Sequence, residues 1–421
     1  MKQITLKEIN NAFIPAKEIT EVEKFSGRKI FVEMAYHALL SDGANIAIVG
    51  NRGIGKSSLA RQIINIGQGD NSLLSKLDIY HDTHIDCLCV YFACGSSISN
   101  TNDLLSSLLS SNSALSDGFY ELQTSTKSSS KINGGVDVGV SLLKAKLGAD
   151  LNHEKTTTSA IKAHTVEMIF QNVIMNILSM KKNKDGILIV IDEFDQITDA
   201  TGFASYLKSL ATNTPGLKFC IVGVAQNIQD LMKEHQSSDR LFAGSIINLP
   251  SMNPSELTSI IKTAEESIQN HITFDESAIT KIVNLSKGHP YIVHLLGKQT
   301  LKLAFLEPVY IINEFYIDNV LKSIAEKESD PVLEGRYKKA IASSRQRELV
   351  LKAFANSVKG DEVNTSDAYR LTGSNVDNAS QYVGQLVTDD YGAEIIKVRE
   401  RYYRFKDSLF QTYVSFRPNI F

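Results

Sequence analysis

Apolar residues follow two rhythms along this chain. Short uninterrupted runs, NIAIVG at 45–50, DCLCVYF at 86–92, ILIVI at 187–191, KFCIVGV at 218–224 and IINL at 246–249, have the length and all-round apolarity of strands covered on both faces. Between them the spacing turns helical. Ile30, Phe31, Met34, Ala35 and Leu39 recur every three or four residues and predict a helix over 28–40. Buried strands alternating with helices predict an α/β domain built on a parallel sheet.

After Pro250 the strand-like runs stop. Helical patterns over 254–269, 275–286, 290–305 and 311–326 predict a small all-helical lid. From 345 onward the order reads as three helices, then AEIIKVRERYYRF as two short strands around a polar turn, then a last helix, the order of a winged helix. Residues 106–160 interrupt the first part with Ser, Thr, Gly and Lys, including SSLLSSNSALSD and TSTKSSSKINGG. Such a stretch reads as mobile surface loop or, through the alternation of VDVGVSLL at 136–143, as a hairpin inserted into the core. The expected organisation is therefore an extended lead-in over 1–24, an α/β core over 25–250 with its insertion at 106–160, a helical lid over 251–343 and a winged-helix domain over 344–421.

At 421 residues the chain is too long for one ordinary core. A net charge of -3 gives no overall attraction to nucleic acid or anionic lipid, so such binding would need a local patch. Cys87, Cys89, Cys94 and Cys220 form no CxxC pair and no zinc spacing, which reads as thiols in a reducing compartment. The opening MKQITLKEINNAF lacks the apolar heart of a signal peptide, and no run is long enough to span a bilayer. A cytoplasmic protein without a membrane partner is expected.

Two motifs carry chemistry. Gly50-Asn51-Arg52-Gly53-Ile54-Gly55-Lys56-Ser57 fits G-x-x-x-x-G-K-[ST] and sits between a strand and the helical SLARQII, where a phosphate-binding loop must sit. Its glycines let backbone amides curl around phosphates, the helix amino terminus adds positive potential, Lys56 reaches the β- and γ-phosphates and Ser57 ligates Mg2+. Residues 50–58, Ser58 included, are the expected Mg-ATP cradle. ILIVIDEFD at 187–195 delivers Asp192 to the carboxyl end of a buried strand to hold the magnesium water shell, with Glu193 as general base. Adjacent acids there are costly unless a cation uses them. Asp195 reads instead as a helix amino cap.

FSGR at 25–28, GNRGIGKSS at 50–58, VIDEFD at 190–195, VGVAQN at 222–227 and GHP at 288–290 together resemble the AAA+ and STAND-type ATPases related to origin-recognition proteins. That resemblance implies an AAA+-like P-loop fold with helical lid and winged helix. It places Phe25, Gly27 and Arg28 beside the adenine, Pro290 over the base, and Gln226 or Asn227 as the sensor of the γ-phosphate. Arg240 falls where such families carry an arginine finger for a neighbouring subunit, or else merely solvates a helix end. His294, a turn beyond Pro290, is a candidate lid sensor, or a surface or core histidine. Lys397, Arg399, Arg401, Arg404 and Lys406, interleaved with Tyr402, Tyr403 and Phe405, would suit a nucleic-acid backbone, although Asp389, Asp390, Glu394 and Glu400 dilute the charge.

Two functions fit this reading. In one, an ATP-hydrolysing switch forms homo-oligomers and signals to a separate effector protein, and the resemblance implies a role in bacterial anti-phage defence. In the other, the chain is a DNA-binding ATPase of the replication-initiation or transposition-regulator type.

Overall fold

The computed structural model describes residues 4–111, 115, 166–180, 184–232, 239–242, 244–327, 330–358, 362–373 and 376–421. Most of the 106–160 segment, including the strand expected at 136–143, lies outside the described residues. The chain forms two compact units, 29–50 with 56–249, and 1–28 with 51–55 and 250–421.

The first unit is built on five strands: β1 (Ile46–Gly50), β2 (Cys87–Ala93), β3 (Gly186–Asp192), β4 (Leu217–Val224) and β5 (Ile246–Asn248). They lie in the order β2-β3-β4-β1-β5 and every neighbouring pair is parallel. Every residue of β3 is buried, as an all-apolar central strand requires. Ile187, Ile189 and Ile191 join Val90, Leu104, Phe170 and Phe203 in one core, under the helices Thr101–Ser111, Val166–Met180 and Phe203–Asn213. Alternate residues point the other way, where Leu188 meets Gly67 at the end of helix Lys56–Gly67. Asp192 shares the parity of Leu188 and so faces that helix.

The second unit is mainly helical, and a single core runs through it from Ile9 to Phe416. Its helices start where their capping chemistry says they should. Asn253 and Glu256 form a reciprocal capping box ahead of Pro254–Ser267, while Asp275, Asp330, Ser344 and Asp407 accept from the first amides of their own helices. Glu334 is buried and accepts from Arg417 Nη2 at 2.7 Å and from the Tyr413 hydroxyl at 2.7 Å. Glu348, equally buried, accepts from the Tyr337 hydroxyl at 2.7 Å and from the amides of Ile420 and Phe421. The Glu334–Arg417 ion pair and the hydrogen bonds to Glu348 fasten residues 417–421 to the helices Pro331–Ile341 and Arg345–Asn356.

Two expectations need correction, and a third gains a strand. The first residues are not an extended lead-in: Leu6–Ala12 is a helix whose Thr5 and Glu8 cap each other's amides. It buries Ile9 and Ala12, and Phe13 just beyond it lies against Gly297. The region after Pro250 is not wholly helical, because β6 (Thr273–Phe274) and β7 (Ile311–Ile312) pair in parallel and the next helix starts at Glu314. Near the end, β9 (Ile395–Arg399) and β10 (Tyr402–Phe405) are joined by β8 (Val363–Asn364) in an antiparallel sheet of order β8-β10-β9. A two-residue strand leaves no periodic signal, so β6, β7 and β8 could not be seen in the sequence.

Candidate functional site

Gly50 ends β1 and Lys56 opens a twelve-residue helix, so the motif spans a strand-to-helix turn. Gly53 and Gly55 take φ of +71° and +98°, backbone that a side chain would strain. A Cβ at Gly53 would also stand 2.9 Å from Leu409 Cδ2, so that side chain would have to shift. Asn51 and Arg52 are exposed and Ile54 is buried. The Lys56 ammonium, 8% exposed, donates to the Gly50 carbonyl at 3.1 Å. That holds the charge inside the turn, where phosphate oxygens would be stronger acceptors. Ser57 and Ser58 follow in the first helical turn.

Asp192 is 3% exposed at the carboxyl end of β3. Its Oδ2 accepts from the Tyr91 hydroxyl at 2.7 Å, and its Oδ1 from the Glu193 amide at 2.8 Å. Glu193 is exposed and left-handed, with φ +55° and ψ +35°. This region disfavours a side chain by roughly 1–2 kcal/mol, and the turn swings the carboxylate out of line with the strand. β1 and β3 both flank β4, two strand spacings of about 4.8 Å, so their carboxyl ends are about 10 Å apart on the same edge of the sheet. The helix opened by Lys56 and the pair Asp192 and Glu193 thus meet at one end of one unit.

The neighbouring loop is tied to the same place. Asp195 is not a helix cap: it sits inside the short turn Phe194–Gln196 and accepts from the Val224 amide at 2.7 Å. This clamps the end of β4 to the end of β3. Asn227 Oδ1 accepts from the Asp230 amide at 2.8 Å, capping Ile228–Met232, while Gln226 is exposed.

In the helical unit, Arg28 is buried with φ +64°. Its amide donates to Glu256 Oε1 at 2.7 Å and its Nη2 to the Ile54 carbonyl at 3.0 Å. Burial lowers this guanidinium to about 10, against the opposing pull of Glu256, so it remains charged at neutral pH. Gly27 leaves space for the Glu256 carboxylate, Phe25 is 5% exposed, and Pro290 is buried beside Gly55. Arg28 therefore engages the backbone of the glycine-rich turn itself.

His294 does not suit the sensor reading. It is buried edge-on to Phe13, and its Nδ1 accepts from the Ile14 amide at 3.3 Å. Burial, helped by Lys24, lowers its pKa to about 4, so it is a neutral core imidazole. Arg240 belongs to the turn Asp239–Phe242, and its side chain lies outside the described residues.

Ser57 and Asp192 offer a hydroxyl and a carboxylate, hard oxygens of the kind Mg2+ takes alongside phosphates and water. Among the described residues no three His, Cys, Asp or Glu side chains form a metal cage, and a metal carried with a triphosphate needs none. Three contributors were not visible in the sequence: Tyr91, Arg61, whose Cζ lies 3.3 Å from the Tyr91 ring centroid, and Glu256. For Glu256 the capping pattern Asn253-x-x-Glu256 was a readable signal, but its reach to Arg28 was not.

The chain's fold is similar to that of solved structures. The Walker-type ATPase of Pyrococcus abyssi superposes with a TM-score of 0.52 at 14% identity, covering 95% of this chain and 98% of that one. The ORC1 protein of Aeropyrum pernix, solved in complex with DNA, gives 0.46 at 12% identity over 93% and 92%. The ORC2 protein of the same organism, solved as ADPNP-ADP complexes, gives 0.45 at 14% over 97% and 96%. No protein-family model and no curated protein sequence matches the chain. The fold is that of a P-loop NTPase of AAA+-like type, with its parallel sheet followed by a largely helical region.

Proposed function

We propose that the protein is a Mg2+-dependent ATPase that works as a regulatory switch. The observation that carries this reading is the sheet order, which brings the Lys56 helix and the Asp192–Glu193 turn to one edge with a single strand between them. Lys56 and the backbone amides of the turn bind the phosphates, and Ser57 and Asp192 hold Mg2+. When bound, Mg2+ neutralises charge on the phosphate oxygens. Glu193, exposed and turned off the strand axis, takes a proton from the attacking water as the new O–P bond forms and the bond to ADP breaks. Gln226 is the better candidate for the γ-phosphate contact, because Asn227 already uses its oxygen as a helix cap. The family resemblance of the motifs assigns Phe25, Gly27, Arg28 and Pro290 to the adenine and Arg240 to the ATP of a neighbouring subunit in a homo-oligomer.

Downstream, ATP occupancy is signalled to a separate effector protein in bacterial anti-phage defence, a role suggested by the family resemblance of the motifs. The 344–421 segment serves as a winged helix. The defining experiment compares ATP binding and phosphate release in wild type, Lys56→Ala and Glu193→Gln. Lys56→Ala loses binding, and Glu193→Gln binds ATP but turns it over at least about a hundredfold more slowly. Wild-type turnover in either variant would refute the assignment.

A second reading, a DNA-binding ATPase, is favoured by one observation: Lys397, Arg399, Arg401 and Lys406 are exposed around the β9–β10 hairpin, with Arg399 stacked on Tyr402 at 3.8 Å. Duplex DNA would then stimulate turnover steeply and in a salt-sensitive way. Unchanged rates at low salt would leave the switch.

A further inference from the structure

A side-chain bridge joins the phosphate-binding helix to the acidic strand, and neither of its two members belongs to a recognised motif. Arg61 lies one helical turn beyond Ser57. Its guanidinium covers the Tyr91 ring at 3.3 Å from the centroid, and the Tyr91 hydroxyl donates to Asp192 Oδ2 at 2.7 Å. Tyr91 can do this because β2 and β3 run parallel with Tyr91 opposite Val190 and Ala93 opposite Asp192. Residues paired in this way project to the same face, and that face is the one the helix covers.

The second oxygen of Asp192 is held by the Glu193 amide at 2.8 Å. Both oxygens therefore have assigned donors, and the carboxylate plane cannot rotate without breaking one of them. A carboxylate that accepts a metal-bound water works best when its orientation is set in advance by such neighbours. The aromatic contact also makes the position of the ring depend on the helix that carries Ser57, so the two oxygen donors for Mg2+ are held as one piece. A cation over an aromatic face attracts it electrostatically and so favours one orientation of the half-buried ring.

We infer that Tyr91, steadied by Arg61, is a positioning residue that orients Asp192 for Mg2+. This rests on the ATPase reading above and goes beyond it by assigning the metal's geometry to a strand outside both motifs. Tyr91→Phe is the direct test, since it deletes the hydroxyl and keeps the ring under Arg61. Binding of a fluorescent ATP analogue is titrated with and without Mg2+, and Mn2+ bound beside a non-hydrolysable analogue is counted by electron paramagnetic resonance.

The expected result is unchanged affinity for metal-free nucleotide, with half-saturating Mg2+ and the Mn2+ dissociation constant each raised about tenfold. Arg61→Gln gives a smaller rise in the same direction, and carries the test if Tyr91→Phe fails to fold. Metal affinities equal to wild type in a folded variant overturn the inference, as does an equal loss of metal-free and metal-bound nucleotide. Failure of the ATPase reading looks different, because wild type itself would then show no Mg2+-dependent nucleotide binding.

Discussion

Glu193 shows how function and stability pull apart at one residue. Its φ of +55° belongs to glycine rather than to a long side chain. The strain sits beside the proposed reaction centre, as strain at sites of chemistry commonly does. Glu193→Gly should therefore melt within about two degrees of wild type, because relief of the left-handed cost offsets the added freedom of the unfolded chain, of order 0.5–1 kcal/mol each way. ATP hydrolysis should be lost in the same variant. Paired calorimetry and phosphate-release assays check this, and a drop of more than about five degrees would show that the turn depends on the glutamate side chain.

Among secondary-structure elements the informative case is Leu6–Ala12. Seven residues are too few to hold a helix by themselves, so this one persists through its capping box and the burial of Ile9, Ala12 and Phe13. Gly297 makes the docking possible, since a Cβ there would come within 2.5 Å of Phe13 Cε1. Gly297→Ala should destabilise the helical unit by about 1–3 kcal/mol through overpacking, and Phe13→Leu on that background should recover part of the loss. Thr5→Ala removes the cap acceptor and should cost about 1 kcal/mol. Urea unfolding of the variants measures all three. The pattern Thr5-x-x-Glu8 was readable as a helix start, but whether so short a helix survives depends on a partner surface almost three hundred residues away.

Across the whole molecule, two buried histidines give a pH dependence with a definite sign. Burial holds His294 at about 4 and also lowers His289, which lies among Ser286, Ser408 and Thr412. In the unfolded chain both would titrate near 6.5. The unfolded state then binds more protons below that value, so stability is fully present above about pH 6.5 and falls as pH drops toward 4. His294→Asn, which keeps an acceptor for the Ile14 amide, should flatten part of that slope in melts taken from pH 7 to pH 4.5. If homo-oligomers complete the site, specific ATPase activity should also rise with protein concentration, and light scattering at the same concentrations should show the larger species. No helix among the described residues is long and apolar enough to cross a membrane.

The chain's own residues determined the elements and the two motifs. Five apolar runs became five parallel strands, and the glycine-rich turn and the acid pair lie at strand ends, because these are local consequences of burial and backbone freedom. The helical region after Pro250 was legible for the same reason, and its caps were written into Asn253, Asp275 and Asp330. What tertiary structure alone decided is adjacency. Nothing in the linear order says that β3 pairs with β2 and β4, that Tyr91 therefore reaches Asp192, that Asp195 holds the Val224 amide rather than a helix, or that His294 faces Phe13 instead of a phosphate. Those contacts bridge 29 to 280 residues, and partners at such separations are chosen by the packing of the whole core, which no local pattern encodes.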